Sequence, residues 1–162
     1  MHTIGNNVLV FSLITRSALF ILLLLFIQIK SRLKYKFFED GLHVIPNLAK
    51  NYKLAIVSDA WPSLESVYEA AGLRNYFSSF IISSQLGVVK PDAKMYQTAL
   101  NELGVDPSRA IFIDDNLKNC LGARNIGIHS VLLVRDKRLF FFEKIKSFGR
   151  GYHVISSLTE LI

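Results

Sequence analysis

The chain has 162 residues, long enough for one domain with a buried core, and a formal net charge of +6 at neutral pH. The charge is uneven: residues 30–36 (Lys30, Arg32, Lys34, Lys36) and residues 135–150 contribute +4 each, leaving about −2 for the rest, so the middle of the chain is not a nucleic-acid surface. The single cysteine, Cys120, excludes an internal disulfide and fits a reducing, cytoplasmic compartment, and the scattered His2, His43, His129 and His153 suggest no zinc site.

In chain order, residues 8–13 (VLVFSL) read as a short buried strand. Residues 17–29 (SALFILLLLFIQI) carry no charge, and Arg16 interrupts the run upstream. A spanning helix needs ~20 apolar residues, and residues 8–29 reach that length only with Arg16 included. If this segment inserts, the basic cluster at 30–36 anchors the chain with its core on the cytoplasmic side. The soluble alternative is a buried strand followed by a core helix, and both readings stay open. A cleaved signal peptide fits poorly, because the basic residues follow the apolar run and no small-x-small site comes after it. The expected division is an apolar strand and helix segment at 1–38 and a core at 39–162.

Residues 41–51 should contain a short helix whose regular part starts close to Pro46, since proline is tolerated only in a first turn. Residues 54–57 (LAIV) form a fully buried strand that delivers Ser58 and Asp59. A helix at 63–71 closes at Gly72, and a strand at 80–82 leads through Ser83, Ser84 and Gly87 to Lys90. Pro91 suits a first helical position, and Met95, Tyr96, Ala99, Leu100 and Leu103 then share one helical face up to the stop at Gly104. Residues 110–113 make a third buried strand that delivers Asp114, Asp115 and Asn116. A helix at 117–125 and a strand at 130–134 follow. The aromatic, basic tail reads as a last helix and a short strand at 152–155. Apolar strands alternating with amphipathic helices predict an α/β fold: a three-layer, Rossmann-like parallel sheet with helices on both faces.

In such sheets ligands bind beyond the carboxyl ends of the strands, where Ser58-Asp59, Lys90 and Asp114-Asp115 all arrive. Each has a bland explanation. Lys90 could be a surface lysine, and Ser58, Asp114, Asp115 and Asn116 could all be helix caps. The combination is harder to explain that way. An adjacent aspartate pair is a hard-oxygen site suited to magnesium. A serine hydroxyl beside helix N-terminal amides suits a phosphate oxygen. A lysine near both balances the negative charge. Together they describe metal-assisted phosphoryl transfer that lacks a nucleophile.

LAIVSDA, GVVKPDAKMYQTAL and IFIDDNLKNCLGARNIGI resemble motifs two, three and four of the haloacid dehalogenase (HAD) superfamily of hydrolases, in the right order and spacing over residues 41–134. The resemblance implies a Mg2+-dependent phosphatase acting on a small phosphorylated molecule. It implies that Ser58, with Asp59 beside it, binds the transferred phosphoryl group and that Lys90 holds the nucleophile and phosphate. It also implies that Asp115, supported by Asp114, ligates magnesium. Asn119 stands where many members carry another aspartate.

Motif one departs from the family. Its strand should end in D-x-D, the first aspartate attacking the substrate and the second moving a proton, and no D-x-D occurs here. The best local fit, residues 7–17 (NVLVFSLITRS), puts Ser12 at the nucleophile position and Ile14 at the acid/base position. Serine without an adjacent base is a weak nucleophile, and isoleucine moves no proton. Residues 17–38 also offer one helix where a cap bundle is expected, so the cap is reduced or absent. Three readings follow: a HAD-type phosphatase; a non-catalytic, membrane-tethered phosphate and magnesium binder (a pseudoenzyme); and a truncated or altered gene product. Oligomeric state is not legible. Placement of residues 8–11 between the strands at 54–57 and 110–113 would show that the N-terminus keeps the central-strand role, and that placement is expected.

Overall fold

The computed structural model describes residues 8–11 and 35–162. Six parallel strands form one sheet in the order β3-β2-β1-β4-β5-β6. The strands are β1 (Val8–Phe11), β2 (Lys53–Ser58), β3 (Ser79–Ile82), β4 (Ala110–Asp114), β5 (His129–Leu133) and β6 (His153–Ile155). As expected, β1 lies in the middle: Leu9 pairs with Leu54 of β2 on one side and with Ile111 of β4 on the other. A single apolar helix over 8–29 therefore does not form. Among the described residues no helix is long and apolar enough to cross a membrane. Ser12, Ile14, the apolar run at 17–29 and most of the expected cap region lie outside the described residues.

The period-two alternation of strand side chains sorts the core onto two faces. Leu54 and Ile56 of β2, Ile113 of β4, and Val131 and Leu133 of β5 pack with α1 (Glu39–Leu48) and α2 (Leu64–Ala70). Their neighbours Ala55, Val57, Ala110 and Phe112 face the other way. They meet Met95, Tyr96, Ala99 and Leu100 of α4 (Ala93–Leu103) and Ala123 of α5 (Leu117–Asn125). On that second face Cys120, Leu132, Tyr152 and Val154 continue the core toward Phe140 of α6 (Lys137–Ser147). The three layers predicted from the alternation of elements are those observed.

Three local expectations are corrected. The helix α1 begins at Glu39 and carries Pro46 in its last turn, not its first. Proline there forfeits only the bond to the Leu42 carbonyl, on an exposed residue, and the helix ends two residues later, so the loss is small. Pro91 is not the first helical residue of α4. The helix starts at Ala93, capped by Asp92, whose carboxylate accepts from the Lys94 N–H at 2.9 Å. A capping aspartate needs extended backbone, which pushes Pro91 outside the helix. A one-turn helix, α3 (Ser83–Leu86), occupies the stretch between β3 and Gly87, which at φ 76° adopts the left-handed conformation glycine tolerates.

Asp40, in the first turn of α1, fastens three distant parts of the chain. It takes both Arg135 nitrogens (2.8 and 3.0 Å), the Ser157 hydroxyl (2.9 Å) and the Leu158 N–H (2.9 Å). Arg135 also stacks on Phe38, 3.9 Å from the ring centroid. Burial alone would raise the Asp40 pKa. The hydrogen bonds from Arg135, Leu158 and Ser157, with the Arg135 charge, outweigh it and lower the pKa from 3.8 to about 2. A carboxyl depressed in this way stabilises the folded state above its unfolded value and loses that contribution as pH falls through the folded one. Asp40→Asn should therefore cost about 2 kcal/mol at pH 7 in urea unfolding. The difference from the parent chain should shrink steadily between pH 4 and pH 2.

Candidate functional site

Three strand ends converge on one edge of the sheet. The chain leaves β1 at Phe11, level with Ile56 and Ile113, so the loops after β2 and β4 flank its exit. Ser58 is the buried last residue of β2, and its hydroxyl makes no hydrogen bond to another described residue. Asp114, the last residue of β4, is 1% exposed. Lys90 arrives from the loop beyond β3 and sets its Nζ 2.9 Å from Asp114 Oδ2; both side chains are almost wholly buried. The Lys90 ammonium also lies 5.9 Å from the Phe112 ring centroid.

The rest of the local structure holds this pair in place. Asp114 Oδ2 also accepts from Asn119 Nδ2 at 3.1 Å, and Oδ1 accepts from the Asn116 N–H at 2.8 Å. A buried carboxylate thus has a cation and two dipolar donors, as a group removed from water requires. Asp59 binds the other side of the same loop: its Oδ1 accepts from the Lys90 N–H at 2.9 Å. The next residue, Ala60, is tied through its N–H to Ser83 Oγ at 3.1 Å. The loops beyond β2 and β3 are therefore fastened to each other as well as to β4. On the far side Tyr96 donates to the Asn119 carbonyl at 2.9 Å, its phenol kept protonated by burial and by the Asp114 charge. Gly122 in α5 faces Pro91 so closely that an added Cβ would lie 2.5 Å from Pro91 Cβ. Only glycine lets α5 approach the Lys90-Pro91 corner.

The two aspartates differ sharply. Asp114 is surrounded by its partners, whereas Asp115 is exposed at the mouth of the edge. Desolvation on its inner side, then the negative charge of Asp114, raise the Asp115 carboxyl to about 6; the Lys90 charge opposes this. Such a carboxylate is electrostatically short of a cation. Among the described residues no group of three or more His, Cys, Asp or Glu side chains gathers around a point. A magnesium ion would therefore use one or two of these carboxylates together with water and ligand oxygens, a donor set that magnesium accepts. Cys120 is not a nucleophile here. Its thiol is fully buried, and burial, followed by the Asp114 charge, pushes its pKa up to about 12.

The structure thus brings together Ser58, Asp59, Lys90, Asp114 and Asp115. Ser12 and Ile14 lie outside the described residues. Sequence reasoning missed Ser83 as the anchor of the Ala60 loop. It also missed Gly122 as the residue that admits Pro91, although a glycine mid-helix is itself a signal of close approach.

A six-stranded parallel sheet with a polar cluster at its carboxyl edge, where a lysine from the loop beyond β3 reaches across to the aspartate that ends β4, defines a three-layer α/β scaffold with a ligand edge. The haloacid dehalogenase-like hydrolase family matches residues 22–133, more than half of the chain, and the chain belongs to that family. It is 32% identical over 114 residues to haloacid dehalogenase-like hydrolase domain-containing protein 3 of Bos taurus, covering 70% of this chain and 45% of that protein. It is 34% identical over 92 residues to (S)-2-haloacid dehalogenase of Pseudomonas sp. (strain YL), covering 56% of this chain and 40% of that enzyme. The crystal structure of a HAD phosphatase from Thermococcus onnurineus superposes with a TM-score of 0.70 at 25% identity, covering 83% of this chain and 60% of the other. The chain spans less than half the length of these two sequence relatives.

Substitutions at two contacts probe the geometry. Lys90→Met strands the Asp114 carboxylate in the interior and should destabilise the fold by about 3–5 kcal/mol. Adding Asp114→Asn should recover a good part of that loss, a coupling read from a double-mutant cycle in urea. Gly122→Ala overpacks the Pro91 contact and should cost about 1–3 kcal/mol, with little effect expected from an alanine at exposed Lys118 of the same helix.

Proposed function

We propose that this chain keeps the phosphate and magnesium pocket of a HAD phosphatase while its own hydrolytic turnover is weak or absent. The observation that supports this is the convergence of Ser58, the buried Lys90–Asp114 pair and exposed Asp115 around the exit of β1, where the next residue in the sequence is Ser12. The Ser58 hydroxyl, without a hydrogen-bond partner among the described residues, and the amides beyond β2 suit the oxygens of a phosphoryl group. Lys90, already neutralising Asp114, adds the cation that lets a phosphate dianion enter a site walled by acids. Asp115 is the better placed of the two aspartates to hold magnesium, since both oxygens of Asp114 are engaged. Magnesium, when bound, would stabilise charge on the phosphoryl oxygens. Asp59 acts through the backbone of Lys90 and fixes the loop. The ligand class is a small phosphorylated molecule.

Among the described residues the pocket carries no attacking carboxylate at the exit of β1. HAD chemistry needs a carboxylate directly after the central strand, where this sequence carries serine, a weak nucleophile unless a base activates it. With 4-nitrophenyl phosphate and magnesium, the full chain should hydrolyse no faster than its Asp115→Ala variant. Inorganic phosphate with magnesium should still raise its melting temperature by a few degrees, and should not do so for Ser58→Ala or Asp115→Ala. The double substitution Ser12→Asp with Ile14→Asp should raise turnover by at least about a hundredfold. Turnover by the unaltered chain that disappears in Asp115→Ala would mean that another group attacks.

A further inference from the structure

The helix α6 carries a surface that the phosphate site does not use. No side chain between Lys137 and Ser147 is fully buried. Leu139, Phe141, Phe142, Ile145 and Phe148 are large apolar residues between 57% and 94% exposed. Phe141, Ile145 and Phe148 follow the i, i+4, i+7 spacing of one helical face, and Phe142 lies beside them, its ring 6.4 Å from that of Phe141. The opposite side, with Phe140, Glu143 and Ser147 partly covered, turns toward the protein. An apolar stripe of this size on one helix is not the scatter of single hydrophobic residues normal on a soluble surface.

The charges around the stripe indicate what covers it. From residue 137 to 150 there are five basic side chains and one acid, Glu143, which is paired with Lys146 at 2.8 Å. By helical spacing Lys137 and Lys144 border the stripe on one side and Lys146 on the other, while Arg138 falls within it. The Lys144 ammonium sits 5.0 Å from the Phe140 ring centroid. Phenylalanine and aliphatic groups on one face, rimmed by long basic side chains, match a bilayer interface of negative charge: the rings enter the acyl boundary and the lysines reach up to the headgroups. A second copy of the chain would meet the same positive rim across a two-fold axis, which like-charge repulsion opposes. We propose that α6 is a docking surface for an anionic lipid bilayer and lies in its interface without crossing it.

The test is flotation of the full chain with vesicles of phosphatidylcholine containing roughly 30% phosphatidylserine, against vesicles of phosphatidylcholine alone. The chain should float with the anionic vesicles and not with the neutral ones, and raised salt should weaken the binding. Phe141→Ser with Ile145→Ser, and separately Lys137→Glu with Lys144→Glu, should each lower the apparent affinity about tenfold or more. All four positions are exposed, and urea midpoints measured on each variant separate loss of binding from unfolding. The proposal is overturned by flotation that the substitutions leave intact, which would place membrane affinity elsewhere in the chain. Equal binding to neutral vesicles, or absence of flotation, overturns it as well. So does a dimer in sedimentation, or retention of single-stranded RNA, that the apolar substitutions abolish while vesicle binding is missing.

Discussion

The buried ion pair between Lys90 and Asp114 is the constraint on which the carboxyl edge of the sheet depends. Each group alone would be costly to bury: a lysine on a connecting loop would otherwise reach for water, and a carboxylate at a strand end would draw water in. Placed 2.9 Å apart they remove each other's need for solvent, and the loop carrying Lys90 must then cross toward β4. Asp59 takes the backbone N–H of Lys90, Asn119 completes Asp114, and Gly122 makes room for Pro91. Loops from three strands and the start of one helix are thus fixed around a single charge pair.

That arrangement gives neighbouring aspartates opposite characters. Asp114 serves the interior, saturated by partners, and its charge is felt by Asp115, Tyr96 and Cys120. Asp115 faces outward, its pKa raised first by desolvation and then by the Asp114 charge. In the proposed function Asp115 would take the positive ligand, and Ser58, on the far side of β1, the anionic one.

Much of this was legible in the sequence because the signals were chemical and local. Uninterrupted apolar runs at 54–57 and 110–113 marked strands buried on both faces, and the polar residues that ended them marked the ligand edge. The helical face of Met95, Tyr96, Ala99, Leu100 and Leu103 was readable from spacing alone and is fully buried. Boundaries set by a competition between residues were harder. Proline at position 91 and aspartate at position 92 both favour a helix start, and the side-chain cap won. Pro46 sits late in α1 because the terminal bond it removes matters little. The tether from Asp40 to Arg135, Ser157 and Leu158 joins residues up to 118 positions apart, and no local pattern announces it.

The placement of β1 has a consequence for how the chain is made. Four residues near the N-terminus form a strand flanked by β2 and β4, and its partners in β4 lie about a hundred residues downstream. During synthesis from the N-terminus, β1 can find β2 early but waits for β4 until most of the chain has been translated. Through that interval one edge of β1 has no strand beside it, so a strand synthesised before both of its partners is among the last to be enclosed.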